Sequence, residues 1–276
     1  YQQQPAYSTK HAVMTPQLKP TEADTAIREC IDTSRSFFVI AGAGSGKTTS
    51  LVTALHHIRA VHGRRLRRGA QRVVCVTYTK RAVSVISSRV GWDSLFVVST
   101  LHGFFWSEVK RFTGDICAAL RDGLIPAQIE KKKKDDNGGT SQKAVAARER
   151  IEELVVALEA LPTVSAFRYN DSNFSDYANG DLGHDDVIEV ASYMLTHSDP
   201  LRRVLGQKYP FIFVDEAQDT QEHVVVALNT LCNRSGLPIV GYFGDPMQQI
   251  YDKRAGEFNG PPGSLRIPKE ENFRSS

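Results

Sequence analysis

Five short apolar runs read as buried strands, and the first three alternate with helical patterns. Together they predict an α/β fold, a parallel sheet with crossover helices, interrupted by a mostly helical insertion. Residues 1–13 read as an unstructured lead-in; TPQLKPTEAD then opens the folded part at a Pro-rich turn, with Thr21 as a helix N-cap. Phe37-Phe38-Val39-Ile40 is the first strand. It feeds the Gly-rich turn AGAGSGKTT, and SLVTALHHIRAVH continues with helical periodicity. HGRRLRRGAQR reads as a basic loop, Val73 to Tyr78 as a second strand and Leu95 to Val98 as a third. Residues 103–205 hold helical stretches, VAARERIEELVVALEAL the clearest, around the polar low-complexity loop KKKKDDNGGTSQK. The sheet pattern resumes at Phe211 to Val214 and again at Leu237 to Phe243. The division is an α/β unit made of 14–102 and 206–276, with 103–205 inserted.

Composition narrows the class. The chain has 276 residues, 41% hydrophobic and 24% charged, values of a globular protein that exclude a fibre or a disordered chain. Its net charge of +3 does not announce a nucleic-acid partner; only local clusters could. Cys30, Cys75, Cys117 and Cys232 lie far apart without metal-ligand spacing, so they read as reduced thiols. No apolar run approaches the roughly 18 residues of a membrane span, and the N-terminus lacks a signal-peptide core. The expectation is a soluble intracellular protein with no membrane partner.

The segment Ala41-Gly42-Ala43-Gly44-Ser45-Gly46-Lys47-Thr48-Thr49 carries the most chemistry. After a buried strand, the backbone N–H groups from Gly44 to Lys47 can wrap a β-phosphate, and the following helix adds its positive dipole end. Lys47 would reach the β- and γ-phosphates, and the Thr48 hydroxyl would bind Mg²⁺. A partner acidic group is needed at the end of another buried strand. Asp215, after Phe211 to Val214, can supply the second metal contact, and Glu216 can polarise a water for attack on the γ-phosphate. The pair of segments predicts Mg-ATP binding with hydrolysis.

AGAGSGKTT, VTYTKRAV, STLHGFF, FVDEAQDT, FGDPMQQIY and LRIPKEENFRSS follow one another over residues 41–276. In that order they resemble the UvrD/Rep/PcrA-like superfamily 1 DNA helicases. The resemblance implies a P-loop NTPase of RecA-like fold, the first ATPase domain of such a helicase, with its inserted helical subdomain. It assigns Gln248 to γ-phosphate sensing, Arg274 to γ-phosphate contact and Phe273 to adenine stacking. It puts single-stranded DNA across the loops of VTYTKRAV and STLHGFF. There Tyr78 and Phe104 offer ring faces, while Thr77, Thr100 and His102 offer hydrogen bonds to phosphate. Tyr251 and Lys253 complete the DNA-facing set.

Several positions depart from the family pattern. Ala41 stands where Gly is usual, and Glu22 or Asp24 falls where a glutamine reads the adenine edge. Lys253 replaces a base-stacking aromatic, and Lys80-Arg81 replaces Asn-Lys. The second RecA-like domain, with its arginine finger, is an expected partner in a longer chain. The implied activity is that of an ATP-dependent DNA helicase or translocase running 3′ to 5′, in DNA repair or a related process. Its location would be intracellular, cytoplasmic and nucleoid-associated if bacterial. Two alternatives stand beside it: the motor subunit of a helicase-nuclease or defence system, and a nucleotide-gated DNA-binding module without turnover. The basic clusters Arg64, Arg65, Arg67, Arg68 and Lys131 to Lys134 stay outside this site.

Overall fold

The computed structural model describes residues 20–42, 44–136, 138–232, 238–245 and 260–269. The first part runs α1 (Glu22–Asp32), β1 (Phe37–Ala41), α2 (Lys47–Val61), α3 (Gly63–Arg68), β2 (Val73–Thr77), α4 (Lys80–Arg89) and β3 (Phe96–Thr100). Next come α5 (Leu101–Val109), α6 (Thr113–Ala119), α7 (Ile125–Asp135), α8 (Gln142–Ala160), β4 (Arg168–Tyr169) and β5 (Asp181–Leu182). The chain continues with α9 (His184–His197), α10 (Asp199–Lys208), β6 (Phe211–Val214), α11 (Glu222–Leu231), β7 (Ile239–Gly244) and β8 (Leu265–Lys269). Thr21 caps α1 as its sequence predicts, accepting from the Asp24 N–H at 3.1 Å while Asp24 accepts from the Thr21 N–H.

Six strands form one parallel sheet in the order β3-β2-β6-β7-β1-β8. A parallel sheet must be covered on both faces, and alternation along each strand supplies two apolar surfaces. Phe37, Val39, Cys75, Phe213 and Phe243 pack with Ile27 of α1, Leu51 and Leu55 of α2 and Ile86 of α4. Phe38, Val76, Ile212, Val214 and Tyr242 point the other way, into a core shared with α5, α9, α10 and α11.

That second core runs across the expected division. Leu101, Phe104 and Phe105 of α5, with Val187, Ala191 and Leu195 of α9, sit in the same cluster as the sheet residues. Much of 103–205 therefore covers one face of the sheet. Leu120, Leu124 and Ile125 continue the same cluster outward through a π-helical turn at Leu120–Leu124. The insertion also contains strands, since β4 and β5 form a small parallel pair.

Two expected loops are helical. GRRLRR forms α3 because Leu66 is fully buried while the arginines stay outside, an amphipathic pattern too short to show as a period. KKKKD forms the last turns of α7, begun by a Pro in its first turn and extended by lysines, which favour helix. β8 was not anticipated because LRIPK contains Pro268. It forms at the sheet edge, where a missing N–H costs no ladder bond.

Candidate functional site

In an open parallel sheet, ligands bind beyond the carboxyl ends of the strands. β1 ends at the fully buried Ala41, and the chain then turns sharply. Gly44 and Gly46 both have φ 81°, a left-handed conformation suited to residues without a Cβ. The Ser45 N–H and Oγ both donate to the Gly42 carbonyl, at 3.3 and 2.7 Å, which closes the loop. Gly46 caps α2 with no side chain, so the first N–H groups of the helix remain available to an anion. Ala43 lies outside the described residues. Thr48 is half-buried and Thr49 exposed on the first turn of α2.

Lys47 opens α2, is buried, and puts Nζ 3.0 Å from Oε2 of Glu216. The two halves of the predicted site are thus in direct contact. Asp215, 2% exposed, follows β6, and its N–H donates to the Val76 carbonyl. Its Oδ1 is buried with no hydrogen-bond partner among the described residues. Burial, and then the Glu216 charge beside it, push the Asp215 carboxyl up to about 6. Glu216 takes φ 51°, a left-handed conformation that costs a non-glycine residue energy and is concentrated at functional sites.

Gln218 was not singled out by sequence reasoning. Its Nε2 donates to Glu216 Oε2 at 2.7 Å, and its Oε1 accepts from the Asp245 N–H at 3.0 Å. A side-chain amide can do both at once. It ties the turn after β6 to the end of β7. The approach is close: a Cβ on Gly244 would lie 3.1 Å from Gln218 Oε1 and 3.2 Å from the Ala217 Cβ. The only sequence signal was its position two residues after Glu216, inside an acidic turn.

Of the pair standing where an adenine-reading glutamine was expected, Asp24 has a structural task. It accepts from Ser50 Oγ at 2.5 Å, joining α1 to α2. Burial raises its carboxyl, but the hydrogen bonds from Ser50 and Thr21 and the Lys269 charge hold it below the ordinary value. Glu22 is exposed. β8 lies beside β1 with Lys269 level with Ala41, so the end of β8 stands next to the phosphate loop. Phe273, Arg274, Gln248, Tyr251 and Lys253 lie outside the described residues.

The ends of β2 and β3 form the neighbouring edge. Thr77 is 1% exposed, so its hydroxyl faces the interior and not a bound strand, contrary to expectation. Phe104 is likewise a core residue of α5 and offers no ring face outside. Tyr78 is half-buried and lines a cavity of about 410 Å³ with His102, His184 and Asp219. Its hydroxyl is buried without a hydrogen-bond partner among the described residues, and burial raises its pKa. The Thr100 hydroxyl caps α5, accepting from the Gly103 N–H at 3.1 Å. His102 is stacked on His184 with ring centroids 3.4 Å apart. Burial, then the facing His184, push His102 down to about 4, so it is neutral near pH 7 and can donate only as a neutral imidazole. His184, from the first turn of α9, was absent from the sequence reading because nothing local links it to His102. Lys80 Nζ pairs with Asp171 at 3.1 Å, joining α4 to the segment after β4.

A family of AAA domains matches residues 24–254, most of the chain, including the phosphate loop, Asp215, Glu216 and Gln218. The chain belongs to this family. Within it, the order of motifs and the curated relatives put it among the UvrD/Rep-like superfamily 1 proteins. It is 25% identical to Gabija protein GajB of Bacillus cereus over 84% of this chain and 43% of that protein. It is 24% identical to a probable DNA helicase II homolog of Mycoplasma capricolum, over 92% of this chain and 39% of that one. It is also 26% identical to ATP-dependent DNA helicase Rep of Escherichia coli, over 86% and 39%. The chain spans about two fifths of the length of these relatives.

For this UvrD/Rep-like domain the parallel sheet and its flanking helices are those of a RecA-like P-loop fold. None of its described helices is long and apolar enough to cross a membrane. All four cysteines are free thiols.

Proposed function

We propose that this domain binds and hydrolyses ATP as the ATP-binding half of a DNA helicase or translocase that moves 3′ to 5′ on single-stranded DNA. The observation that carries the reading is the contact between Lys47 and Glu216 beside Asp215, whose buried Oδ1 has no hydrogen-bond partner among the described residues. A triphosphate seated in the Gly44–Lys47 loop would draw the Lys47 cation onto its β- and γ-oxygens. Glu216 would then be free to orient and polarise a water, held in place by the Gln218 amide. Asp215 and Thr48 suit a Mg²⁺ ion: one buried carboxylate oxygen lacks a partner, and one hydroxyl stands on the first turn of α2. Mg²⁺ usually takes one or two carboxylates alongside substrate phosphates, a role that the Asp215 carboxylate could fill with the Thr48 hydroxyl. Bound there, the ion would neutralise phosphate charge.

Single-stranded DNA would lie along Tyr78, Thr100 and His102, with Tyr251 and Lys253 beyond, and Gln248 and Arg274 would report the γ-phosphate. Phe273 would stack on the base. A second domain closing over the phosphates would be required for stepping. The relatives named as helicases support this reading. A second reading keeps the same site and makes the motor a subunit of a helicase-nuclease or defence system. Association with a nuclease on purification from the native host would separate the two.

The test is the ATPase rate with and without single-stranded oligonucleotide, beside Glu216→Gln. The variant should still bind ATP and lose about 10²- to 10⁴-fold in turnover, the usual contribution of a general base. Equal turnover in both proteins would overturn the role of Glu216. ATP binding with no turnover in either would mean that a group from a second domain, such as its arginine finger, is needed for hydrolysis.

A further inference from the structure

The basic run on α3 lies at the opposite end of the sheet from the phosphate loop, because α3 leads into the start of β2. At 100° per residue Arg64, Arg65, Arg67 and Arg68 spread over an arc of about 160°, with Leu66 on the far side in the core. Arg67 is held by Asp93 at 2.6 Å, and Arg59 reaches the same carboxylate at 3.8 Å. Among the described residues Arg64, Arg65 and Arg68 carry no ion pair, and like charges at this spacing destabilise a helix.

Asp93 belongs to the turn between α4 and β3, and its neighbour is Trp92. Trp92 is 70% exposed and takes φ 53°. A large aromatic held outside in a left-handed conformation costs energy twice, through strain and through exposed apolar surface. Leu95, from the same turn, lies 3.6 Å from where a Cβ on Gly63 would stand, so the turn packs directly on the start of α3. Guanidinium groups without an ion pair among the described residues, on a helix packed against the turn that carries an open indole, supply the two components of a surface for single-stranded nucleic acid, phosphate contact and base stacking.

We infer that Arg64, Arg65, Arg68 and Trp92 form a second binding surface for single-stranded DNA, remote from the nucleotide edge. Bases stack on the Trp92 indole while the arginines neutralise the adjoining phosphates. The surface goes beyond the reading above and does not depend on ATP turnover. It would hold a strand after or before its passage over Tyr78 and His102.

The chain has only two tryptophans, Trp92 and the half-buried Trp106 of α5, which makes the test residue-specific. In Trp106→Phe, oligothymidylate should quench the remaining fluorescence, with an affinity that falls steeply as salt rises. Replacing Arg64, Arg65 and Arg68 by Glu should abolish that quenching at moderate salt. Replacing them by Ala should lower the salt slope by about 2, three single-strand phosphate contacts' worth. Fluorotryptophan in the otherwise unaltered chain gives two ¹⁹F signals, so the measurement survives if Trp106→Phe misfolds. A Trp92 signal unmoved by saturating oligonucleotide overturns the inference. So does quenching that ignores the arginine substitutions, or duplex DNA moving the signal as strongly as the single strand.

Discussion

Burial disfavours charge at both Asp215 and His102, and because one is an acid and the other a base, their contributions to stability run in opposite directions. Asp215 rises from 3.8 to about 6, so between these values the folded state binds more protons than the unfolded chain, and stability falls as pH rises. His102 falls from 6.5 to about 4, so the folded state binds fewer protons there, and stability rises with pH. Over pH 4 to 6 the two slopes oppose each other. Thermal midpoints measured from pH 4 to 7 should therefore change in opposite senses in two variants. Asp215→Asn should expose the rising limb and His102→Gln the falling one. Both variants tracking the parent curve would show that neither group titrates this way. Mg²⁺ should weaken the Asp215 contribution, since a cation favours the ionised carboxylate. At this scale the sequence showed which residue types meet, Lys47, Asp215 and Glu216. It did not show Gln218 or His184, because each acts on a group that only folding brings near.

The elements that carry the site are fixed by short, specific contacts. Gln218 joins the turn after β6 to β7 through one amide, and removing it leaves the Asp245 N–H without that partner. Gln218→Ala should cost about 1 to 3 kcal/mol in urea unfolding, the penalty of a lost buried hydrogen bond. It should lower kcat while nucleotide affinity holds, because it acts through Glu216 and touches no phosphate. Affinity falling in step with kcat would contradict that. The same junction predicts that Gly244→Val destabilises by about 1 to 3 kcal/mol, because the new side chain meets Ala217 and the Gln218 backbone. A melting temperature unchanged in that variant would mean that the turn yields freely. Strands β1, β2, β6 and β7 were legible as unbroken apolar runs, and α8 as a long helical pattern. α3 and α7 were not, since a run of arginines or lysines reads as a solvated loop until one buried leucine or a proline-led first turn anchors it.

Across the whole molecule, the insertion is part of the core. Val76, Ile212, Val214 and Tyr242 share their cluster with Phe105, Val187, Ala191 and Leu195. Excising 103–205 should therefore uncover much of one sheet face, leaving α11 alone against it, and yield an aggregating chain, measured by solubility and far-UV circular dichroism. A soluble, cooperatively folding remainder would refute the shared core. By itself the sequence determined that a parallel α/β sheet would form and that its phosphate loop and acidic strand end would meet. Continuous apolar strands require two covered faces, and glycines at Gly44 and Gly46 are local necessities of the turn. Only the tertiary structure decided what covers the second face, which side chains steady Glu216, and that Thr77 and Phe104 belong inside. Those outcomes depend on contacts between segments far apart in the chain, where burial and hydrogen-bond satisfaction are set by neighbours that no local pattern names.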